Sequence, residues 1–292
     1  MRTLTIILTV LVALMGGRGA AQKLTHPLPI DSLWVKDYPP FRIVGNLYYV
    51  GSYDLGCYLI TTPKGDMLIN TGADGSDTLI RRHVEALGFR FSDIKILLIT
   101  QAHFDHTGGL AAVKRETGAT LMVDRADASL LADGGNSDFI FGGKGITFYP
   151  VKADRLLHDR DTIRLGGMRV ELLHHPGHTK GSCSYLFDVK DETRTYRVLI
   201  ANMPSILSAT NLAGMPAYPN VGKDYAYTFD AMKKLHFDIW LAAHAGQFDL
   251  QQKHPAGSAY NPQAFIDQRG YDAALNELYQ AYVKKRDGAA GR

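Results

Sequence analysis

The chain has 292 residues, 46% of them hydrophobic, and a formal net charge of +3. That length and apolar content suit one large α/β domain with a sizeable core, and exclude a disordered chain. The charge is too balanced for a nucleic-acid-binding surface, more so if Arg2 and Arg18 are lost with the first 21 residues, which leaves about +1.

Arg2 gives a positive start, Leu4 to Met15 is an apolar run, and Gly19-Ala20-Ala21 offers small residues for cleavage. Residues 1–21 therefore read as a signal peptide, cut after Ala20 or Ala21, and the mature chain is expected in the periplasm. The run is short for a bilayer span, so no membrane association is expected once the leader is removed. No Cys follows it to carry a lipid.

Residues 22–292 are expected to form one domain, with no repeat or low-complexity linker. After a polar arm (Gln22 to Pro40), short β-type runs occupy Ile43-Val44, Leu47 to Val50, Cys57 to Thr62 and Met67 to Asn70, separated by Gly, Asn, Asp and Pro. Ser76 to Gly88 reads as a helix with Ser76 or Asp77 as its cap and Gly88 as its stop. Lys95 to Thr100 is a buried strand, Gly108 to Thr117 a helix, Thr120 to Val123 a strand, and Arg125 to Ala132 a short helix. The Gly-rich segment Gly134 to Gly145 reads as a loop. Strands follow at Met168 to His174, Ser184 to Val189, Arg197 to Ala201 and Asp238 to Ala243, with helices at Asp224 to Leu235 and Pro262 to Lys285. Strands and helices, then strands and helices again, point to two sheets face to face with helices outside. Cys57 and Cys183 both lie in strand-like stretches and read as two buried thiols, with a disulfide as the alternative.

The chemistry concentrates at strand ends. Ile96 to Ile99 is apolar, and Gln101, His103, Asp105 and His106 follow within six residues. Imidazole and carboxylate are ligands that zinc accepts, about four per ion. One short segment cannot complete two such sites. His174-His-Pro-Gly-His178 after the run Val170 to Leu173, and His244 after Ile239 to Ala243, place further imidazoles beyond strand ends, where α/β sheets gather ligands. Any one of these histidines alone would be unremarkable; their combination is not a chance pattern. No Gly-x-Ser-x-Gly elbow is present, and Ser52 has no Lys at an activating spacing.

These residues closely resemble the metallo-β-lactamase superfamily, whose signature is His-x-His-x-Asp-His. The resemblance runs from Phe41 to Gly51, through Asn70-Thr-Gly72, to Ala243-His-Ala245. Within the superfamily the chain is similar to the third subclass of class B β-lactamases, and to its GOB-type branch, in which Gln replaces the first signature His; Gln101 is that replacement. His174 to Cys183 and Ile200-Ala-Asn-Met-Pro-Ser205 are similar to that branch as well.

The resemblance implies a four-layer αββα sandwich and zinc, one or two ions per chain. It assigns Gln101, His103 and His178 to a first metal position, and Asp105, His106 and His244 to a second. His174 and His175 match no ligand role. It implies a β-lactamase acting on penicillins, cephalosporins and carbapenems by attack of a metal-bound hydroxide that Asp105 orients. The amide of Gln101 is a weaker donor than imidazole, so the first position is expected to bind metal less tightly. Met203 stands where related subclasses carry Cys or Ser, and is expected to pack under the site. Ser205 matches a position that can hold the substrate carboxylate, and Phe139, Ile140 and Phe141 are candidates for an apolar pocket wall. A monomer is expected. The alternative is a thioesterase or lactonase of the same fold, disfavoured because Asn202 stands where those relatives place a bridging Asp. A zinc carrier would not need an open coordination position, and a di-iron relative would need more carboxylates than Gln101-x-His103 offers.

Overall fold

Apolar residues at alternate positions build two sheets. The first has seven strands in sequence order: β1 (Phe41–Val44), β2 (Leu47–Tyr49), β3 (Tyr58–Ile60), β4 (Asp66–Ile69), β5 (Ile94–Leu98), β6 (Thr120–Asp124) and β7 (Arg155–Leu157). The second has five: β8 (Thr162–Leu165), β9 (Met168–His174), β10 (Cys183–Lys190), β11 (Thr195–Ala201) and β12 (Ile239–Ala242). The computed structural model describes residues 23–290, so the leader expected over residues 1–21 lies outside the described residues.

Register decides which side chains meet. In the second sheet Ile163, Val170, Phe187, Val198 and Ile239 form one cross-strand row, buried against the inner face of the first sheet. In the first, Leu59, Leu68, Leu97 and Leu121 form a row on the opposite, outer face. That row packs with Ile80 and Val84 of the helix Ser76–Ala86 and with Leu110 and Val113 of the helix Leu110–Thr117. The outer face of the second sheet meets the helices Val221–Met232 and Gln268–Ala290; Trp240 of β12 sits edge-on to Tyr271, ring centroids 5.4 Å apart. The result is the expected four layers, helix, sheet, sheet, helix.

Several boundaries differ from the sequence reading. Gly75, not Ser76 or Asp77, is the cap of the helix Ser76–Ala86, with φ 81°. The chain enters that helix from a left-handed turn, which an L side chain adopts at a cost. The helix expected to start at Pro262 is broken: Pro262–Phe265 is a 3₁₀ turn that buries Phe265, and the long helix starts at Gln268, where Asp267 Oδ1 accepts from the Gly270 N–H at 2.8 Å. The helix expected from Asp224 starts earlier, at Val221. Strands β7 and β8 were not anticipated because they are only three and four residues long, with one buried residue each. Both cysteines are free and buried, as expected.

A helical turn also starts early, at Phe104–Thr107, where Gly108 was expected to begin one. It packs on the loop after β4: the Thr71 N–H donates to His106 O and the Gly108 N–H to Gly72 O. A Cβ on Gly108 would stand 2.2 Å from both Ala73 C and Asp74 N. We therefore expect Gly108→Ala to destabilise the protein by about 1–3 kcal/mol. The check is a lower urea midpoint at unchanged m-value; a midpoint equal to that of the parent would refute the packing account.

Candidate metal centre

β5, β9, β11 and β12 all end at one rim, and backbone bonds tie those ends together. Cys183 N–H donates to Thr100 O at 2.8 Å, and Gly56 N–H donates to Ala243 O at 2.9 Å. Asn70, itself at φ 62°, accepts on Oδ1 from the Thr100 N–H and hydroxyl. The segment carrying Gln101, His103, Asp105 and His106 is thus held from three sides, and all four residues are buried. His103 caps the turn Phe104–Thr107, with Asp105 and His106 on it.

At the first cluster, His103 Nδ1 and His178 Nε2 stand 3.1 Å apart. Their other nitrogens are committed. Asp138 Oδ2 lies 3.0 Å from His103 Nε2, and a carboxylate can only accept, so that nitrogen carries the proton. The Ser205 carbonyl accepts from His178 Nδ1 at 2.8 Å. With both rings neutral, two imidazole lone pairs face each other; Asp138, outweighing burial, also raises His103 above the usual imidazole range, and the charged ring donates its Nδ1–H to His178 Nε2. Gln101 Oε1 is buried with no hydrogen-bond partner.

The second cluster repeats the pattern. Asp105 Oδ2 lies 3.2 Å from His106 Nε2 and 3.4 Å from His244 Nε2. Asp54 Oδ2 accepts from His244 Nδ1–H at 2.9 Å, and Asp54 Oδ1 accepts from the Gly246 N–H. Neither nitrogen of His106 has a hydrogen bond of normal geometry. One ligand atom from each of Asp105, His106 and His244 lies within 4.8 Å of the other two.

These arrangements fit metal ions. Donors at 2.0–2.1 Å from one tetrahedral zinc stand about 3.3 Å apart, close to the separations in both clusters. An unpartnered buried oxygen and facing lone pairs are costly unless a cation joins them. The charge states divide the donors: His178 and His106 are held neutral, whereas His103 and His244 are pushed toward the charged form and would release a proton to bind a metal. Burial beside His103 lowers His178 to about 3, which keeps it neutral. Burial also lowers His106. Burial opposes ionisation of Asp105, yet His106 and His244 outweigh it and hold the carboxyl well below its usual range. Burial works against a charge on His244 too, but Asp105 and Asp54 together push the ring up to about 10.

The remaining expectations can be placed. His174 leaves the site: its Nδ1 pairs with Asp124 Oδ2 at 2.7 Å. His175 is buried against the Ser184 hydroxyl, and burial lowers it to about 3. Met203 and Asn202 are buried; Asn202 N–H donates to Ser184 Oγ. Ser205 stands behind His178, its Oγ 3.2 Å from Nδ1. Phe141 meets His103 and Phe104 edge-on at 5.2 and 5.7 Å, while Phe139 meets Tyr218 instead. Asp54 and Asp138 were missed. Nothing local in the sequence marks either: Asp138 follows Asn136 and Ser137 in a Gly-rich loop, and Asp54 lies far from His244 in the chain. Trp34, on the polar arm Gln22 to Pro40, lies against His244 with ring centroids 6.4 Å apart.

Comparison with known proteins agrees with this geometry. Residues 57–191 match the family model of the metallo-beta-lactamase superfamily. A β-lactamase from Chitinophaga pinensis is 63% identical, with 90% of this chain and 100% of that one covered and a TM-score of 0.89. The chain belongs to the metallo-beta-lactamase superfamily. Among its superfamily neighbours, metallo-beta-lactamase GOB-18 from Elizabethkingia meningoseptica is 53% identical, covering 92% of this chain and 100% of that one at TM-score 0.90. The class B3 di-zinc metallo-beta-lactamase LRA-12 from an Alaskan soil metagenome is 55% identical, covering 90% and 99% at TM-score 0.88. The likeness to the third subclass and to its GOB-type branch therefore holds. The chain spans 64% or less of the length of the first curated relatives it matches, a probable metallo-hydrolase and hydroxyacylglutathione hydrolases at 28–29% identity.

Asp138 gives a direct test of the lone-pair argument. In Asp138→Asn an amide that donates can face His103 Nε2, which moves the imidazole proton to Nδ1. We expect zinc affinity at the His103–His178 cluster to fall by about 10- to 100-fold. Chelator competition would read this, and an unchanged affinity would show that the carboxylate does not set the tautomer.

Proposed function

We propose that the chain is a zinc-dependent β-lactamase that hydrolyses the amide bond of penicillins, cephalosporins and carbapenems and confers resistance to them. The observation that carries this reading is the convergence of donors from distant segments, with His103 Nδ1 and His178 Nε2 at 3.1 Å. The named β-lactamases at 53–63% identity support it.

In this reading Gln101, His103 and His178 hold one ion, and Asp105, His106 and His244 hold a second. Zinc, when bound, supplies a water of pKa near 7 and positive charge for the negative charge that develops as the ring opens. Asp105, its Oδ2 turned toward His106 and His244, orients the attacking water. Asp54, Asp138 and the Ser205 carbonyl hold the three ligand imidazoles in the tautomers that leave a lone pair inward. Phe141, beside His103, lines the pocket; Phe139 supports that loop through Tyr218. Ser205 Oγ, if it turns from His178, is the group for the substrate carboxylate. The leader over residues 1–21 directs the chain to the periplasm, where residues 22–292 work as one domain and as a monomer. Among the described residues no helix is long and apolar enough to cross a membrane.

Two measurements test the reading. The purified mature protein should hydrolyse a carbapenem and a chromogenic cephalosporin much faster than a thioester or a homoserine lactone, and a chelator should abolish turnover. Turnover that survives the chelator, or a preference for the thioester, would refute it. Gln101→His should raise zinc affinity at the first position by at least about tenfold, equivalent to ~1.4 kcal/mol. Two equally tight positions in the parent protein would contradict the weak-amide argument.

A further inference from the structure

A buried carboxylate outside both clusters connects the two loops that form the first one. Asp127 ends the 3₁₀ turn Arg125–Asp127 that follows β6. It is buried, and no cation pairs with it among the described residues. Three donors surround it instead. Oδ2 accepts from the Ala102 N–H at 2.9 Å and from the Thr179 hydroxyl at 2.7 Å; Oδ1 accepts from the Gly181 N–H at 2.7 Å. Ala102 lies between Gln101 and His103, and Thr179 follows His178. One side chain from a third segment therefore grips both loops at the residues next to the facing donors.

The local packing is shaped around this carboxylate. A Cβ on Gly181 would stand 2.5 Å from Asp127 N and 2.7 Å from its Cγ, so only glycine lets that loop press so close. The Thr179 N–H donates to Ser182 Oγ at 2.8 Å, which fixes the backbone from which its hydroxyl reaches Asp127. Burial pushes the Asp127 carboxyl up to about 6, against its three hydrogen bonds. A buried charge without a counter-charge is a poor device for stability alone. Its partners are divided between two ligand-bearing loops, which points to placement.

We infer that Asp127 is a positioning residue for the first metal position, setting the separation between the Gln101–His103 loop and the His178 loop. This rests on the ligand reading proposed above.

Zinc affinity, measured by competition with a chromophoric chelator, tests it. The His244→Ala protein reads the first position and the His178→Ala protein the second. Into each, Asp127→Ala and Asp127→Asn are introduced, and the melting temperature of each metal-free protein is recorded. Asp127→Ala should lower first-position affinity by about 10- to 100-fold and second-position affinity by less than about twofold. Asp127→Asn, which keeps the shape and one acceptor oxygen, should fall between. Equal losses at both positions that track the melting temperature would overturn the inference in favour of a general structural role. Unchanged first-position affinity would overturn it outright. If Asp127→Ala does not fold, Thr179→Val removes one donor and should give a smaller loss confined to the first position; no loss there overturns the inference. If the His244→Ala protein holds no zinc that His103→Ala abolishes, the ligand reading itself fails, and this inference falls with it.

Discussion

Two imidazole nitrogens, His103 Nδ1 and His178 Nε2, face each other across 3.1 Å, and much of the molecule is organised to keep them so. Something positive must lie between them: a proton, which Asp138 favours on His103, or a cation that replaces it. Asp138 holds one ring from behind, the Ser205 carbonyl holds the other, and burial of His178 opposes a charge on it. The arrangement is one that a divalent cation, in place of the shared proton, would also satisfy. It resembles the pre-payment of reorganisation that preorganised sites use. The second cluster applies the same rule, with Asp54 behind His244.

The layers follow from that demand as much as from hydrophobic burial. A strand end is a stable place to mount a side chain, because the preceding backbone is locked in a ladder. The segments after β5, β9, β11 and β12 all contribute, and they belong to two different sheets. The hydrogen bond from the Cys183 N–H to Thr100 O crosses between those sheets at the rim. Gly108 and Gly181 act in the same cause: each removes a side chain where two backbones carrying site residues must nearly touch.

Much of this was legible in the chain itself. The candidate donors were readable as a group because they cluster at strand ends and because the resemblance singles them out; the four-layer order was readable from the alternation of strand and helix groups. The supporting carboxylates were not. Asp54 is separated from His244 by 190 residues and Asp138 from His103 by 35, and nothing local marks either as a partner. Helix edges failed where tertiary packing overrode local preference, as with Gly75 before Ser76 and the break at Asp267. β7 and β8 failed because strands of three and four residues, each with one buried side chain, carry little periodic apolar signal.

The pairing of Asp54 with His244 has a consequence for the order in which the molecule comes into being. One partner lies in the loop after β2, the other just beyond β12, so nearly the whole polypeptide must be threaded into place before that imidazole is aimed. Closing so long a loop is an entropic cost met only by cooperative folding. A chain emerged only through β9 would own Gln101, His103, Asp105 and His106 but complete neither proposed cage, and the cage of Asp105, His106 and His244 waits for β12. On the proposed reading, filling of that second cage belongs to the finished fold.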